Sequence, residues 1–196
     1  MKTSSLLPIL SVLSLQASTK TMTRAFAAFP TAPKTSRVPI PTAQAEAMEG
    51  TVRRYFQGVH TKDAALIRSC FGETATIRDI CSLGGSTEAR TVPATELVAR
   101  CMEFVAAHPD VQIDFYYGPE CGRAATDVPW VVAHWYETGT WTGESCGLAP
   151  QHVPMAVEGQ TRFRVDPATL TIVEFVVSRT FTDWEKALLE QRAAQE

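Results

Sequence analysis

The sequence predicts one α+β domain over residues 46–190, in which helices pack on one face of a curved antiparallel sheet. Three observations predict it. Between Glu46 and Ala107 apolar residues recur at helical spacing, and from Val111 to Phe181 they alternate with period two. The two kinds of segment also fall in separate runs rather than taking turns, which is the pattern of helices covering an antiparallel sheet. The chain of 196 residues is long enough for one domain with a self-sufficient core.

The first 45 residues read differently from the rest. Lys2 precedes an apolar run from Leu6 to Leu15, which has signal-peptide length and is too short to span a bilayer. Gln16-Ala17-Ser18 supplies small residues for cleavage, so residues 1–17 are expected to be a signal peptide. Residues 18–45 are rich in Ser, Thr, Ala and Pro, basic and free of acids, the composition of a transit peptide or a disordered linker. The two in series resemble the bipartite presequences of algae with complex plastids. Arg24-Ala25-Phe26-Ala27-Ala28-Phe29-Pro30 resembles the Ala/Phe/Pro motif at their cleavage point. The resemblance implies a plastid protein delivered by the secretory route; a secreted or a mitochondrial protein is the alternative.

In the body, Met48, Val52, Tyr55, Phe56 and Val59 form one apolar stripe on a helix expected over Glu46–His60. Asp63 stands as N-cap to a short second helix at Ala64-Ala65-Leu66-Ile67, which Phe71-Gly72 breaks. Thr74–Cys81 is β-prone, and Leu83–Glu88 is a Gly/Ser loop. Pro93 is a first-turn residue for a helix to about Ala107, with Leu97, Val98, Cys101, Met102 and Val105 inward. Strands follow at Val111–Tyr117, Pro129–Thr142, Met155–Val165 and Thr171–Phe181. Gly118–Val128 reads as a turn region and Asp166–Thr169 as a tight hairpin turn. Asp183–Glu196 is expected to be a terminal helix.

Charge and cysteine content exclude some functions. Five of the 18 basic residues precede Glu46 and none of the 21 acidic ones does, so the body holds 13 bases against 21 acids, a net −8. Such a body argues against nucleic acid and against anionic membrane surfaces, both of which need clustered Lys and Arg. Cys70, Cys81, Cys101, Cys121 and Cys146 are odd in number and include no C-x-x-C pair, so neither a zinc site nor a disulfide scaffold is indicated. No cofactor is expected.

One stretch carries a family signature. Ala107-His108-Pro109-Asp110-Val111-Gln112-Ile113 is followed by Trp130-Val131-Val132-Ala133-His134-Trp135 and by Thr138-Gly139-Thr140-Trp141-Thr142-Gly143-Glu144. Gly147-Leu148-Ala149-Pro150, Val157-Glu158-Gly159, Phe163-Arg164-Val165 and Ile172-Val173-Glu174 complete it. In that order and spacing they resemble the SnoaL-like polyketide cyclase group of the nuclear transport factor 2-like superfamily. The resemblance implies a cone-shaped sheet with a ligand cavity between sheet and helices. It also implies a catalytic His and Asp, but Trp141 stands at the position of the His and about Val177 at that of the Asp. Neither side chain can move a proton.

Alternation puts Val131, Ala133, Trp135, Glu137, Gly139 and Trp141 on one face of the long strand. Met155, Val157, Gly159, Thr161 and Phe163 share a face in the next strand, as do Val173, Phe175, Val177 and Arg179 in the last. Tyr55, Trp135, Trp141, Phe163, Phe175 and Val177 are the candidate ligand-binding residues, for a small apolar or aromatic molecule. The same residues would equally serve to fill a core. Asp79, sharing a strand face with Ile77, is the candidate general base. His134 lies opposite Trp135, His60 and His108 sit at helix ends as caps or in solvent, and His152 lies in the Pro loop. Glu158 alternates outward.

Three functions are compatible: acid–base chemistry on a small apolar molecule, a non-catalytic binding or oligomerisation module, and a metal-independent ι-type carbonic anhydrase. The last resemblance lacks its His-His-His-Ser-Ser signature, with Val177-Ser178-Arg179-Thr180 as the nearest equivalent. A homodimer through the outer sheet face, where Glu158, Gln160, Arg162 and Arg164 alternate, is what the superfamily resemblance implies.

Overall fold

The computed structural model describes residues 39–79, 88–122, 129–144, 149–183, 185–187 and 190. The chain divides into two units, Met1–Thr35 and Ser36–Glu196, and the architecture that follows is that of the second. Helix α1 spans Thr42–Thr61 and starts ahead of the expected Glu46. Pro41, at its N-cap, supplies a carbonyl to the amides of Gln44 and Ala45, and buried Ala45 extends the apolar stripe of Met48, Val52, Phe56 and Val59 by one turn. Lys62 closes the helix in the left-handed conformation at φ 57°. The next residue caps α2 (Ala64–Ser69), Asp63 Oδ1 accepting the Leu66 amide at 2.9 Å as the sequence predicts.

Helix α2 ends before Phe71-Gly72 as expected, and strand β1 (Phe71–Asp79) starts there, ahead of the expected Thr74, because Phe71 is buried and pairs with Ile172. The far end of the predicted strand, at Cys81, lies outside the described residues. Strand β2 (Arg90–Pro93) runs directly into α3 (Ala94–Ala107), so Pro93 stands at the N-cap rather than in the first turn. Leu97 and Val105 of α3 are buried, and Val98, Cys101 and Met102 pack against the core from its edge.

Strands β3 (Gln112–Cys121), β4 (Trp130–Thr140), β5 (Pro154–Val165) and β6 (Ile172–Arg179) follow. Gly118–Cys121, read as part of a turn, instead continues β3 through a bulge. Gly118 takes φ 78°, and a Cβ there would collide with the Val132 carbonyl. Helix α1 fixes the far end of the strand: Arg53 donates to the Pro119 carbonyl at 3.1 Å and Glu49 accepts the Cys121 amide at 2.9 Å. The hairpin at Asp166 is as predicted, with its carboxylate accepting the amides of Ala168 and Thr169.

The six strands form one curved sheet in the order β2-β1-β6-β5-β4-β3. All neighbours pair antiparallel except β1 and β6, which are parallel, so the expectation of a purely antiparallel sheet is corrected at this one seam. The chain leaves β1 through β2 and α3 before the meander β3–β6 brings it back alongside. The core lies between the helices and the inner sheet face. Met48, Val52 and Ile67 meet Val131, Ala133, Val157 and Phe163 there. Burying each such side chain is worth about 1.5–3 kcal/mol. Among the described residues no helix is long and apolar enough to cross a membrane.

Candidate functional site

Register arranges the inner face in rows. Phe163 lies opposite both Val131 and Phe175, Thr161 opposite Ala133 and Val177, Gly159 opposite Trp135 and Arg179, and Val157 opposite Glu137. The first rows are filled by aromatic packing. The Tyr55 ring lies 5.7 Å from both Phe71 and Phe163 and 6.5 Å from Phe175, and Phe163 stacks on Phe175 at 6.0 Å. The Tyr55 hydroxyl stands 3.6 Å from Cys101 Sγ, and burial pushes this phenol well above the usual range. In the third row Gly159 has no side chain, and the Trp135 indole occupies that space, donating from Nε1 to Thr161 Oγ1 at 2.9 Å.

One row further on, the character changes. Glu137 is 7% exposed, and its carboxyl makes no hydrogen bond to any described residue. Burial raises it to about 7; the Arg179 guanidinium opposes the rise and Glu185 adds to it. Arg179, two strands away, is held in a bidentate clamp by Glu185, which is 4% exposed, at 2.7 and 3.1 Å. Glu185 also accepts the Thr182 amide at 2.7 Å, while Thr182 Oγ1 accepts the Glu185 amide at 3.4 Å, a capping box that opens helical residues 183 and 185–187; the rest of the helix expected over Asp183–Glu196 lies largely outside the described residues. Burial alone would raise Glu185, but Arg179 and Thr182 outweigh it and the net shift is downward. His108, 5% exposed at the end of α3, is held down by burial and sits within electrostatic reach of Asp110, Glu185 and Arg179. Its Nδ1 lies 2.9 Å from the Phe104 carbonyl, the hydrogen bond working against that shift.

Of the predicted ligand residues, Tyr55, Trp135, Phe163, Phe175 and Val177 come together in the core. Trp141 does not join them. It is 1% exposed and donates from Nε1 to the Gly143 carbonyl at 2.6 Å, in a segment pinned to the end of α3 by bonds from the Thr142 and Gly143 amides to Ala107. The backbone of Asp79 pairs with Val177 at the end of β1, while its side chain lies outside the described residues. His108 is buried against the Phe104 ring rather than in solvent. His134 faces outward between Tyr116 and Tyr117, and exposed His152 gives only its backbone amide to the Trp141 carbonyl.

Glu137 and Glu185 are the residues that sequence reasoning undervalued. Alternation already placed Glu137 as the one carboxylate on an otherwise apolar face, and Thr182-x-x-Glu185 is a capping-box spacing. Among the described residues no three His, Cys, Asp or Glu side chains group as metal ligands. An open groove of about 370 Å³, lined by Val153, Pro154, Ala156, Phe181, Thr182 and Asp183, includes none of the predicted ligand residues.

No family model matches the chain, and no curated protein does. Solved structures do. A protein from Jannaschia sp. CCS1 provisionally named a SnoaL-like polyketide cyclase is 15% identical, covering 77% of this chain and 95% of its own, with a TM-score of 0.57. AclR from Streptomyces galilaeus, provisionally named a hydroxylase, is 16% identical over 74% of this chain and 85% of its own, with a TM-score of 0.53. A Bacillus subtilis protein provisionally named an isomerase is 13% identical over 70% and 88%, with a TM-score of 0.54. Three different names on one scaffold mean that the likeness carries the architecture and leaves the chemistry to the side chains. The chain therefore has the SnoaL-like fold, a mixed α+β architecture built on a six-stranded curved sheet.

Proposed function

We propose that this domain takes a small apolar or aromatic molecule against the inner face of its sheet and moves a proton on it, with Glu137 as the group that gives or accepts the proton. The observation that carries the reading is the Glu137 carboxyl, buried, without a hydrogen-bond partner among the described residues, and raised to about 7. A carboxyl near neutrality is matched to general acid–base work at physiological pH. The apolar residues beside it, Trp135 and Val157, favour a ligand with little charge. Because Trp141 and Val177 cannot titrate, the proton must be handled elsewhere on this face, and Asp79 is the other candidate.

The test uses 1-tetralone, an apolar aromatic ketone with exchangeable α-hydrogens, and follows deuterium uptake from D2O by NMR. The protein is expected to accelerate exchange. Glu137→Gln should lose at least about 10²-fold of that rate, while Asp79→Ala keeps it. Full exchange by Glu137→Gln would remove the assignment, and its loss in Asp79→Ala alone would move the role to Asp79. A second reading, a binding module without turnover, is favoured by the replacement of both usual cyclase groups. Saturable binding of 1-tetralone by the wild-type protein with no exchange would support it.

A further inference from the structure

The Arg179–Glu185 pair carries an inference that rests on the reading of Glu137 as the working carboxyl. Arg179 is the cation that acts on Glu137. It stands opposite Gly159 on β5, diagonal to Glu137 across a strand whose local residue has no side chain. Its guanidinium donates from both terminal nitrogens to the two carboxylate oxygens of Glu185 and from one of them to the Thr180 carbonyl at 3.2 Å, and stacks over Phe181 at 5.4 Å. Glu185 is itself fixed, since the Thr182 amide and hydroxyl both donate to its Oε2, at 2.7 and 2.9 Å. The clamp is therefore preorganised by a helix start rather than being a loose surface pair, and its carboxylate is almost wholly buried.

We propose that Glu185 is a positioning residue: by clamping Arg179 at the end of β6, it keeps that guanidinium from pairing with the buried Glu137 carboxyl and so leaves Glu137 available to a ligand. The mechanism has a simple electrostatic content. A carboxylate paired directly with a guanidinium becomes a weak base and a closed hydrogen-bonding site, whereas one whose cation is committed elsewhere stays basic. Among the described residues, Arg179 from β6 and Glu185 from the terminal segment act on Glu137, Tyr55 from α1 is coupled to it, and His108 at the end of α3 is coupled to the clamp and to Asp110.

The test follows the side-chain carboxyl of Glu137 by carbon NMR in the full chain labelled at glutamate Cδ, with the resonance assigned through Glu137→Gln, and needs no substrate. In the wild-type protein it should titrate near 7. Glu185→Asp keeps the negative charge but is one methylene too short to hold Thr182 and both guanidinium nitrogens. It should lower the midpoint by about one pH unit or more, the scale of a new opposite-charge contact. Glu185→Gln should do the same, and the drop should shrink by more than half when the same substitution is made in Arg179→Met. An equal drop in both backgrounds, or none in Glu185→Asp, would show that Glu185 acts only by its own charge and would overturn the proposal while leaving Glu137 as the proton-transfer group. A wild-type midpoint in the ordinary glutamate range would instead overturn the reading of Glu137 itself.

Discussion

A glutamate buried between the Trp135 row and Val157, without a hydrogen-bond partner among the described residues, is disfavoured in its charged form. The consequence for stability has a definite sign. Glu137 is raised from its ordinary 4.5 to about 7, so the unfolded chain releases this proton first as pH rises. The native state then loses stability between those two values, by on the order of 3 kcal/mol once both states are ionised. Glu137→Gln keeps the shape and removes the titration. Urea midpoints of the two proteins should therefore diverge in favour of the variant as pH goes from 4.5 to 8, and parallel curves would contradict the burial of an ionisable Glu137. Glu185 has the opposite sign, its lowered carboxyl losing stability as pH falls, and it is common to both proteins, so the comparison isolates Glu137. This residue was legible as to face and illegible as to charge state. Period two places it inward, but only tertiary packing decides whether an inward carboxylate meets a partner. The same applies to His108: its helix-end position fits the cap that it forms on α3, but only packing decides that it is buried rather than in solvent.

At the scale of elements, local signals were read well and non-local pairings were not. The stripe of α1, the Asp63 cap and the alternation of β4 and β5 each depend on neighbours within a few residues, and each is where the pattern put it. Strand β2 escaped because four residues carry too little alternation to read. The parallel pairing of β1 with β6 escaped because it joins Phe71 to Ile172 across most of the domain. The Gly159–Trp135 pair is the point where cross-strand register acquires a physical test. A methyl group at 159 would overlap the indole ring, displacing it from Thr161. Gly159→Ala should therefore destabilise the fold by about 1–3 kcal/mol, the usual cost of overpacking a filled core, with a changed near-ultraviolet circular dichroism from Trp135. A variant with the wild-type spectrum and stability would mean that the indole has room elsewhere and that the β4–β5 register does not lock it.

For the whole domain the unresolved balance is on the other side of the sheet. The outer face presents Tyr136 on β4 and the edge strand β3 presents Tyr116 and Tyr117, all exposed, with His134 against both of the latter. Beside them Trp130 lies under the guanidinium groups of Arg162 and Arg164, at 5.1 and 5.9 Å, and Arg164 pairs with Glu174 at 2.8 Å. Tyrosine, tryptophan and arginine are the residues that anchor protein interfaces. The charge distribution points the same way. A body of net −8 repels its own copies, yet this face holds arginines matched by glutamates, so two copies meeting here face little like charge within a screening length of about 8–10 Å. We expect a homodimer joined through this surface. Native mass spectrometry of the domain should show twice the protomer mass at micromolar concentration. Tyr136→Glu, which puts a charge on the outer face and leaves the core untouched, should raise the dissociation constant at least about 30-fold, the scale of a hot-spot loss. A monomeric wild-type protein, or a Tyr136→Glu variant that dimerises as well as the wild type, would place the contact elsewhere and leave the exposed tyrosines to another partner.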